Sequence, residues 1–329
     1  MARDVNIRID DATSAYSLAD RTRYRHIEVW PVRAPLGAEV RCGDLKHASD
    51  EAFLEIRKAW LDHLVLVFRG QTLTDDELLA LGARFGTLDD TPRPQPRDQP
   101  GQHGQLRALS VVSNVVENGT PLGALGHGDL VWHTDMSYIE TPPDASVLYA
   151  IEVPAEGGET GFCNMYLALD TLPRELRAKI EGATIKHDAT HNSGGFLRKG
   201  FDLPTDPRGS PGPSHPAIRT HPETGIDALY LGRRPYSYVH GLSVQESEAL
   251  LDRLWDHASK DELAWYHKWS PGDVVIWDNR CTMHRRHAFA KDARRIMHRT
   301  QIKGTKPFAD PRAASRPQHP RGDAAEPTE

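Results

Sequence analysis

Two short segments of this 329-residue chain carry side chains that could bind one metal ion together. The first holds His133 and Asp135, separated by one residue, and the second holds His284. Two imidazoles and one carboxylate suit non-haem Fe(II), and they leave positions open for a co-substrate and O2. On a strand His133 and Asp135 would share a face, because side chains alternate. We therefore predict that His133, Asp135 and His284 are the metal ligands and the catalytic centre.

A His-x-Asp pair is a weak signal alone, because the chain has 17 histidines. The stronger signal follows His284, where Arg295 and Arg299 stand at +11 and +15. Both belong to a basic run that in most proteins would be a solvated surface. Their spacing from His284 favours a place in the site, where a guanidinium can present a planar fork to a carboxylate.

The elements that must position these residues are short strands with helices before and between them. Turn-bounded apolar runs predict strands at 64–68, 109–115, 130–138, 145–153, 217–221, 228–232, 273–277 and 296–302, with short edge strands within 27–40. Capping signals predict helices after Ser49, from Thr74 to Gly86 and after Ser243, and residues 167–180 are predicted to be mostly helical. This pattern predicts a mainly β fold with helices, in which a jelly-roll core carries flanking helices.

We expect one domain over residues 26–309, with an N-terminal extension at 1–25 and a disordered tail at 310–329. Two long polar segments, 87–107 and 191–215, are rich in proline or glycine. Loops of this length inside a compact domain are usually functional. We predict that they form a lid that selects the substrate.

Composition limits the partners and the compartment. A net charge of -6 without a basic face disfavours nucleic acid and anionic membranes. Three widely spaced cysteines favour a reducing compartment, and the charged N-terminal residues do not form a secretory signal. No apolar run approaches the roughly 20 residues of a membrane span. We expect a soluble cytoplasmic protein that forms a homo-oligomer, a dimer or tetramer, and acts on a small molecule.

Four blocks in order resemble the taurine dioxygenase/phenoxyacetate dioxygenase (TauD/TfdA) family of Fe(II)- and 2-oxoglutarate-dependent oxygenases. The resemblance extends from about residue 64 to 308, and its densest blocks are WHTDMSYIETPP (132–143), GGET with Gly-Phe-Cys (157–163), RTHPETG (219–225) and WDNRCTMHR with RRIMHR (277–285 and 294–299). A bare metal triad would be less specific than these blocks together. The resemblance implies a double-stranded β-helix with iron on His133, Asp135 and His284.

The resemblance also implies the co-substrate and its contacts. The far carboxylate of 2-oxoglutarate would pair with Arg295, helped by the hydroxyl of Thr160, and Arg299 would read the anionic group of the substrate. The implied reaction consumes O2, converts 2-oxoglutarate to succinate and CO2, and hydroxylates a C–H bond. We expect Asn279 and Arg280 to shape the turn before His284 rather than to take part in the chemistry.

Two positions depart from the taurine branch. That branch has a substrate-contacting histidine where this chain has Thr91, and an asparagine where it has Asp129. Both positions are expected to border the substrate, and the changes disfavour taurine. The segments 162–163 and 281–285 look closer to the phenoxyacetate branch. We predict a small anionic substrate, a carboxylate such as an aryloxyalkanoate, with a sulfonate or alkyl sulfate as the alternative.

Two other classes of protein fit part of the pattern. Two histidines and one carboxylate also describe catalytic zinc, as in a hydrolase or isomerase. Arg295 and Thr160 would have no role in such an enzyme. A non-enzymatic ligand-binding relative is the other possibility, and a degenerate triad would support it. The triad of this chain is complete, which favours the oxygenase.

Overall fold

The computed structural model describes residues 23–90 and 108–312. Thr91, most of the segment 87–107 and almost all of the two predicted terminal extensions lie outside these residues. No helix in the described part of the chain is long and apolar enough to cross a membrane.

Strands dominate the described residues, which confirms the predicted mainly β fold. Their bounds are β1 Glu28–Pro31, β2 Ala38–Arg41, β3 Val65–Phe68, β4 Leu109–Ser113, β5 Val116–Glu117, β6 Thr120–Pro121, β7 Ala124–Leu125, β8 Leu130–His133, β9 Ala145–Glu152, β10 Thr160–Asn164, β11 Thr184–Lys186, β12 Ser214–Pro216, β13 Ile218–Thr220, β14 Asp227–Leu229, β15 Tyr238–Val239, β16 Ala264–His267, β17 Val274–Asp278, β18 Thr282–Arg286 and β19 Ile296–Ile302. The predicted strand 130–138 is wrong in its second half, because β8 ends at His133 and a turn follows.

All of the described α-helices except α4 begin where a capping side chain accepts a hydrogen bond from a backbone amide of the first turn. They are α1 Asp50–His63, α2 Asp75–Phe85, α3 Met165–Asp170, α4 Arg174–Ile180 and α5 Val244–Ala258, with 3-10 turns at Leu45–His47 and Asp261–Leu263. Thr74 and Ser243 each form the predicted capping box, with Glu77 and Glu246 respectively. Residues 167–180 are mostly helical, as predicted, but they form two helices, because Pro173 disfavours helical geometry in the residue that precedes it.

Two sheets enclose the core. The larger has eight strands in the order β1-β2-β3-β17-β9-β19-β4-β7, and the smaller has four in the order β16-β10-β18-β8. One hydrophobic cluster contains Val275 and Met297 of the larger sheet together with Phe162 and Met283 of the smaller one. The core therefore lies between the two sheets, as in a jelly roll.

A second cluster lies on the outer face of the larger sheet. There Leu66 and Phe68 of β3 pack with Ile56 and Trp60 of α1, whereas Val65 and Val67 face the inner core. Because side chains alternate, burial on both faces explains why β3 is continuously apolar.

Strand pairing brings the two predicted metal-binding segments together. β18 is hydrogen-bonded to β10 on one side and to β8 on the other, and His284 is directly opposite His133. β19, which follows Arg295, lies in the opposing sheet between β9 and β4. The smaller sheet thus supplies the two histidines, the larger sheet supplies Arg299, and Arg295 immediately precedes its strand β19.

Candidate active site

The three predicted metal ligands converge in space. The ligand atoms of His133, Asp135 and His284 all lie within 4.8 Å of one another, and all three side chains are buried. Asp135 Oδ1 is 3.8 Å from His133 Nε2 and 3.9 Å from His284 Nε2. The Nδ1 of His133 is 2.7 Å from the carbonyl of Val131. This hydrogen bond places the proton on Nδ1 and leaves the Nε2 lone pair for a metal.

The protonation states also suit a metal cation. Burial lowers the pKa of His284 to about 4, and burial together with His284 holds the pKa of His133 well below its usual value. Burial alone would raise the pKa of Asp135, but the Arg299 guanidinium and the two imidazoles hold it below its usual range. At neutral pH the site therefore presents two neutral imidazoles and one carboxylate, the forms in which these groups bind metals.

Asp135 lies beyond the end of β8, so strand alternation does not position it as predicted. Met136 has a positive φ of 50°, and the chain turns there. Asn279 fixes this turn, because its Oδ1 accepts a 2.8 Å hydrogen bond from the Asp135 amide and its Nδ2 donates to the carbonyls of Asp135 and Pro143. Asn279 was predicted to shape the turn before His284, whereas its side chain fixes the turn that carries Asp135.

Side chains of the larger sheet orient the Asp135 carboxylate. Ser146 on β9 donates a 2.8 Å hydrogen bond to Oδ2, and Gln301 on β19 donates one of 3.1 Å to the same atom. Arg299 Nη1 lies 3.3 Å from both carboxylate oxygens. Ser146 and Gln301 were not predicted. The alternation of β19 carried a signal for Gln301, which is two residues from Arg299 and on the same face.

The second predicted arginine, Arg295, is 2% exposed. No carboxylate of the described residues pairs with it, and its Nε has no hydrogen-bond partner among them. Its Cζ lies 6.0 Å from the ring centroid of Trp269, whose Nε1 donates a 2.9 Å hydrogen bond to Thr160 Oγ1. Thr160 therefore keeps its own hydroxyl proton for another acceptor. Trp269 thus contacts both Arg295 and Thr160, and their joint binding of the co-substrate remains a prediction.

The electrostatic surroundings of Arg295 favour an anion. Burial and the neighbouring Arg286 lower the pKa of Arg295 to about 9, because a buried cation without a counterion is unfavourable. Arg286 is directly opposite Thr160 across the β10–β18 pair, and its Nη2 donates to the carbonyls of Leu125 and Gly128. Arg286 was not predicted as a site residue. Two buried guanidinium groups near the hydroxyl of Thr160 are suited to a carboxylate.

The two remaining predicted positions differ in outcome. Thr91 lies outside the described residues. Asp129 immediately precedes β8, but its side chain is 62% exposed and lies 3.6 Å from Arg285. Its Oδ1 accepts a 3.0 Å hydrogen bond from the Ala288 amide. These contacts tie Asp129 to the segment after β18, and none of its described contacts is with the metal-binding side chains.

A second cluster of metal-ligating residue types, His221, Asp278 and Cys281, is also buried. The Nδ1 of His221 accepts hydrogen bonds from the backbone amides of residues 223 and 224, and its Nε2 lies 3.0 Å from the carboxylate of Asp278. Arg280 binds both oxygens of Asp278. Because its histidine and carboxylate atoms are already used, this cluster is a structural network rather than a metal site.

The chain matches known proteins along the core that carries this site. The family model described as "Taurine catabolism dioxygenase TauD, TfdA family" matches residues 28–301. The (S)-phenoxypropionate/alpha-ketoglutarate-dioxygenase of Sphingobium herbicidovorans is 33% identical over 282 residues, covering 84% of this chain and 95% of the relative. The alpha-ketoglutarate-dependent sulfate ester dioxygenase of Pseudomonas putida is 31% identical over 280 residues, covering 82% of this chain and 86% of the relative.

A solved structure agrees with these matches. AAD-2 in complex with Mn(II) and N-oxalylglycine superimposes with a TM-score of 0.69 and 29% identity, covering 87% of this chain and all 100% of the other. The family match spans both sheets and every metal-binding side chain described above. The chain therefore belongs to the TauD/TfdA family, and it is a 2-oxoglutarate-dependent dioxygenase with that family's double-stranded β-helix fold.

Proposed function

We propose that this dioxygenase uses Fe(II), held by His133, Asp135 and His284, to hydroxylate a C–H bond of a small organic acid. With iron and co-substrate bound, the site would couple this oxidation to the conversion of 2-oxoglutarate and O2 to succinate and CO2. The observation that carries the proposal is Arg295, a buried cation without a carboxylate partner in the described residues, in the same core as a converged His-Asp-His set.

The chain's own residues have distinct parts in this reaction. Arg295 and the Thr160 hydroxyl bind the far carboxylate of 2-oxoglutarate, and Trp269 holds that hydroxyl in place. Ser146 and Gln301 keep the Asp135 carboxylate in one orientation. Arg299 keeps Asp135 ionised and borders the substrate. The buried walls exclude water, which strengthens each of these charged contacts.

For the substrate we favour a carboxylate with an apolar body, such as an aryloxyalkanoate. The relative that acts on (S)-phenoxypropionate supports this class, and the sulfate ester dioxygenase supports the alternative, a sulfonate or alkyl sulfate. A zinc hydrolase or isomerase on this fold fits less well, since it would leave Arg295 and Thr160 without a ligand.

The test of the metal and co-substrate is spectroscopic. We expect that adding Fe(II) and 2-oxoglutarate to the metal-free protein without oxygen produces the weak visible charge-transfer band of the chelate. His284→Ala removes a metal ligand and should abolish the band. The absence of a band in the wild-type protein, with tight binding of Zn(II), would replace the oxygenase proposal with the hydrolase.

The substrate class is tested by turnover. Succinate formation is measured with aryloxyalkanoates, sulfonates and alkyl sulfates as separate panels. Stimulation by the carboxylates above the uncoupled background supports the favoured class. Stimulation by sulfates or sulfonates alone would replace it with the alternative.

A further inference from the structure

A third arginine, Arg233, lies beside the metal-binding histidines without any part in the site described above. It forms an isolated antiparallel bridge with His133, and the amide of Thr134 donates a 3.0 Å hydrogen bond to the carbonyl of Gly232. Residues directly opposite in an antiparallel pair place their side chains on the same face. The Arg233 side chain therefore extends from the backbone on the same side as the His133 imidazole.

Arg233 is buried and only partly satisfied. It is 4% exposed, and its Nε has no hydrogen-bond partner among the described residues. Its Nη1 donates a 2.6 Å hydrogen bond to the carbonyl of His191, which is neutral. No carboxylate of the described part of the chain forms an ion pair with it. A buried guanidinium in this state lacks the counterion that normally offsets its desolvation.

Arg198 converges on the same place from the predicted lid segment 191–215. Its Nε donates a 3.0 Å hydrogen bond to the same carbonyl of His191. Both guanidinium groups also lie over the ring of Tyr138, with Cζ 4.0 Å from the centroid for Arg198 and 5.7 Å for Arg233. Two cations therefore meet at one carbonyl oxygen and one aromatic ring.

Asp135 and Asp188 both act electrostatically on Arg233, but neither forms an ion pair with Arg233 or Arg198 among the described residues. The Asp188 carboxylate accepts hydrogen bonds from the amide and hydroxyl of Thr190 and lies 3.0 Å from the Nδ1 of His191. Burial and the charge of Arg198 lower the pKa of Arg233 to about 10. An anion between the two guanidinium groups would remove this repulsion and supply the missing hydrogen-bond acceptor.

The segment that carries Arg198 also exposes apolar side chains. Phe196 is 71% exposed and Leu197 is 41% exposed, and both immediately precede Arg198. The same segment is fixed to the metal-binding strand, because the amide of Val131 donates a 2.9 Å hydrogen bond to the carbonyl of Ser193. The two guanidinium groups thus lie beside exposed apolar side chains, in a segment that is hydrogen-bonded to the strand of His133.

We propose that Arg198 and Arg233 form the binding site for the anionic group of the substrate, an organic acid whose apolar body lies along Phe196 and Leu197. This inference rests on the proposed function and assigns the substrate anion to residues other than Arg299. Arg299 already pairs with the Asp135 carboxylate, whereas Arg198 and Arg233 have no such partner in the described residues.

The proposal is tested by calorimetry on the protein loaded with Fe(II) and 2-oxoglutarate without oxygen. The probes are (S)-2-phenoxypropionate, its neutral amide, hexyl sulfate and hexanesulfonate. Arg198→Gln and Arg233→Gln should each weaken binding of the acid by on the order of ten- to a hundredfold, the usual effect of losing a hydrogen bond to a charged group. Binding of the neutral amide should change by less than about threefold, because it has no charge to lose.

Arg234→Gln is the matched control. Arg234 adjoins Arg233, but its guanidinium pairs with Glu248 and Asp252 on α5, so this variant should bind the acid as the wild type does. Arg198 is half-buried, so Arg198→Gln tests the proposal even if Arg233→Gln does not fold. Arg299→Gln is measured in the same way, because the competing assignment places the anionic group of the substrate at Arg299.

Three results would overturn the site: equal weakening of the acid and the amide, loss of acid selectivity in Arg299→Gln alone, or no binding of any anion to the wild-type protein. The charge-transfer band of the same samples separates this test from that of the proposed function. A band that persists in a variant without acid selectivity supports both proposals. If the wild type gives no band, the iron proposal fails, while the comparison of acid with amide still decides the anion site.

Discussion

The buried guanidinium of Arg295 indicates the charge of the ligand that it binds. Moving a guanidinium from water into the protein core costs free energy, and none of the described residues forms an ion pair with Arg295 that would offset this cost. A dicarboxylate co-substrate would supply that ion pair. The protein without 2-oxoglutarate is therefore less stable than it would be with the ligand, and binding should raise its melting temperature.

Arg295→Ala should strongly raise the 2-oxoglutarate concentration needed for half-maximal turnover. Truncating one partner of a buried charge pair costs about 2–5 kcal/mol, which corresponds to more than about tenfold in affinity. Arg295→Lys should restore binding only in part, because an ammonium lacks the planar fork. The measurement is the apparent affinity for 2-oxoglutarate at saturating substrate.

Arg294→Ala is the control for this prediction. Arg294 adjoins Arg295, but it is exposed and pairs with Glu152 and Glu117 on the surface. Its loss should leave the affinity for 2-oxoglutarate within about twofold, since exposed ion pairs contribute little. An unchanged affinity in Arg295→Ala itself would remove that residue from the co-substrate site.

Individual site residues could be predicted from the sequence where their spacing along the chain is itself a recognisable pattern. His133, Asp135, His284 and Arg295 could be identified because each stands at a fixed distance from another site residue in its own segment. Ser146 and Arg233 could not, because their contacts depend on which strands become neighbours. A serine or an arginine has no local pattern that distinguishes a buried orienting role from a surface one.

At the scale of elements, the turn between β17 and β18 determines where His284 lies. Asp278 is 1% exposed, and both of its oxygens accept hydrogen bonds from Arg280. His221, in the turn between β13 and β14, contacts the same carboxylate at 3.0 Å. Arg280 also donates to Glu223, which lies in the same turn as His221. The predicted role of Arg280 in shaping the turn agrees with this network.

Asp278→Asn should destabilise the protein by about 3–5 kcal/mol, because it leaves Arg280 buried without its main counterion. Burial alone would raise the pKa of Asp278, but Arg280 and His221 hold it well below its usual range. A depressed pKa in the folded state stabilises the fold above the unfolded-state value, about 3.9, and that contribution is lost as the pH falls further.

The difference in free energy of unfolding between wild type and Asp278→Asn should therefore be constant from pH 8 to about pH 5 and shrink below about pH 4. Urea titrations at each pH measure it. Asp252→Asn, which breaks an exposed pair with Arg234, should cost less than about 1 kcal/mol. A difference that already shrinks between pH 8 and pH 6 would contradict the assignment.

The elements themselves were largely predictable, since capping boxes and alternating apolar runs are local signals. The capping boxes at Thr74 and Ser243 and the last strand before residue 303 occur where the sequence placed them. The end of β8 could not be predicted in this way. Asn279, 144 residues further along the chain, fixes the Asp135 turn by hydrogen bonds, and no local pattern records a contact at that separation.

Across the whole molecule, the larger sheet joins strands from both ends of the described chain. Strand β3 lies beside β17, and β17 lies beside β9, so residues near 65, 150 and 275 share one sheet. Each face of this sheet covers a separate hydrophobic cluster. Disrupting this sheet would therefore expose both clusters, and the single domain over 26–309 remains a prediction.

We therefore expect one cooperative unfolding transition in urea. Trp60 lies in the outer cluster and Trp277 in the inner one, so tryptophan fluorescence reports on both. Its midpoint should coincide with that of far-ultraviolet circular dichroism. Two separated midpoints would divide the chain into independent units. The predicted dimer or tetramer remains a prediction, and light scattering coupled to size exclusion tests it.

Strand β8 is the edge strand of the smaller sheet. The side of β8 that does not pair with β18 forms backbone contacts with the segments that carry Arg198 and Arg233. The strand that holds a proposed iron ligand therefore depends on the same loops that we propose to select the substrate. A lineage that changes its substrate by altering residues 190–198 also alters the support of His133. We expect new specificities to evolve through paired changes in loop and strand, and a loop grafted alone from a relative to lower metal affinity.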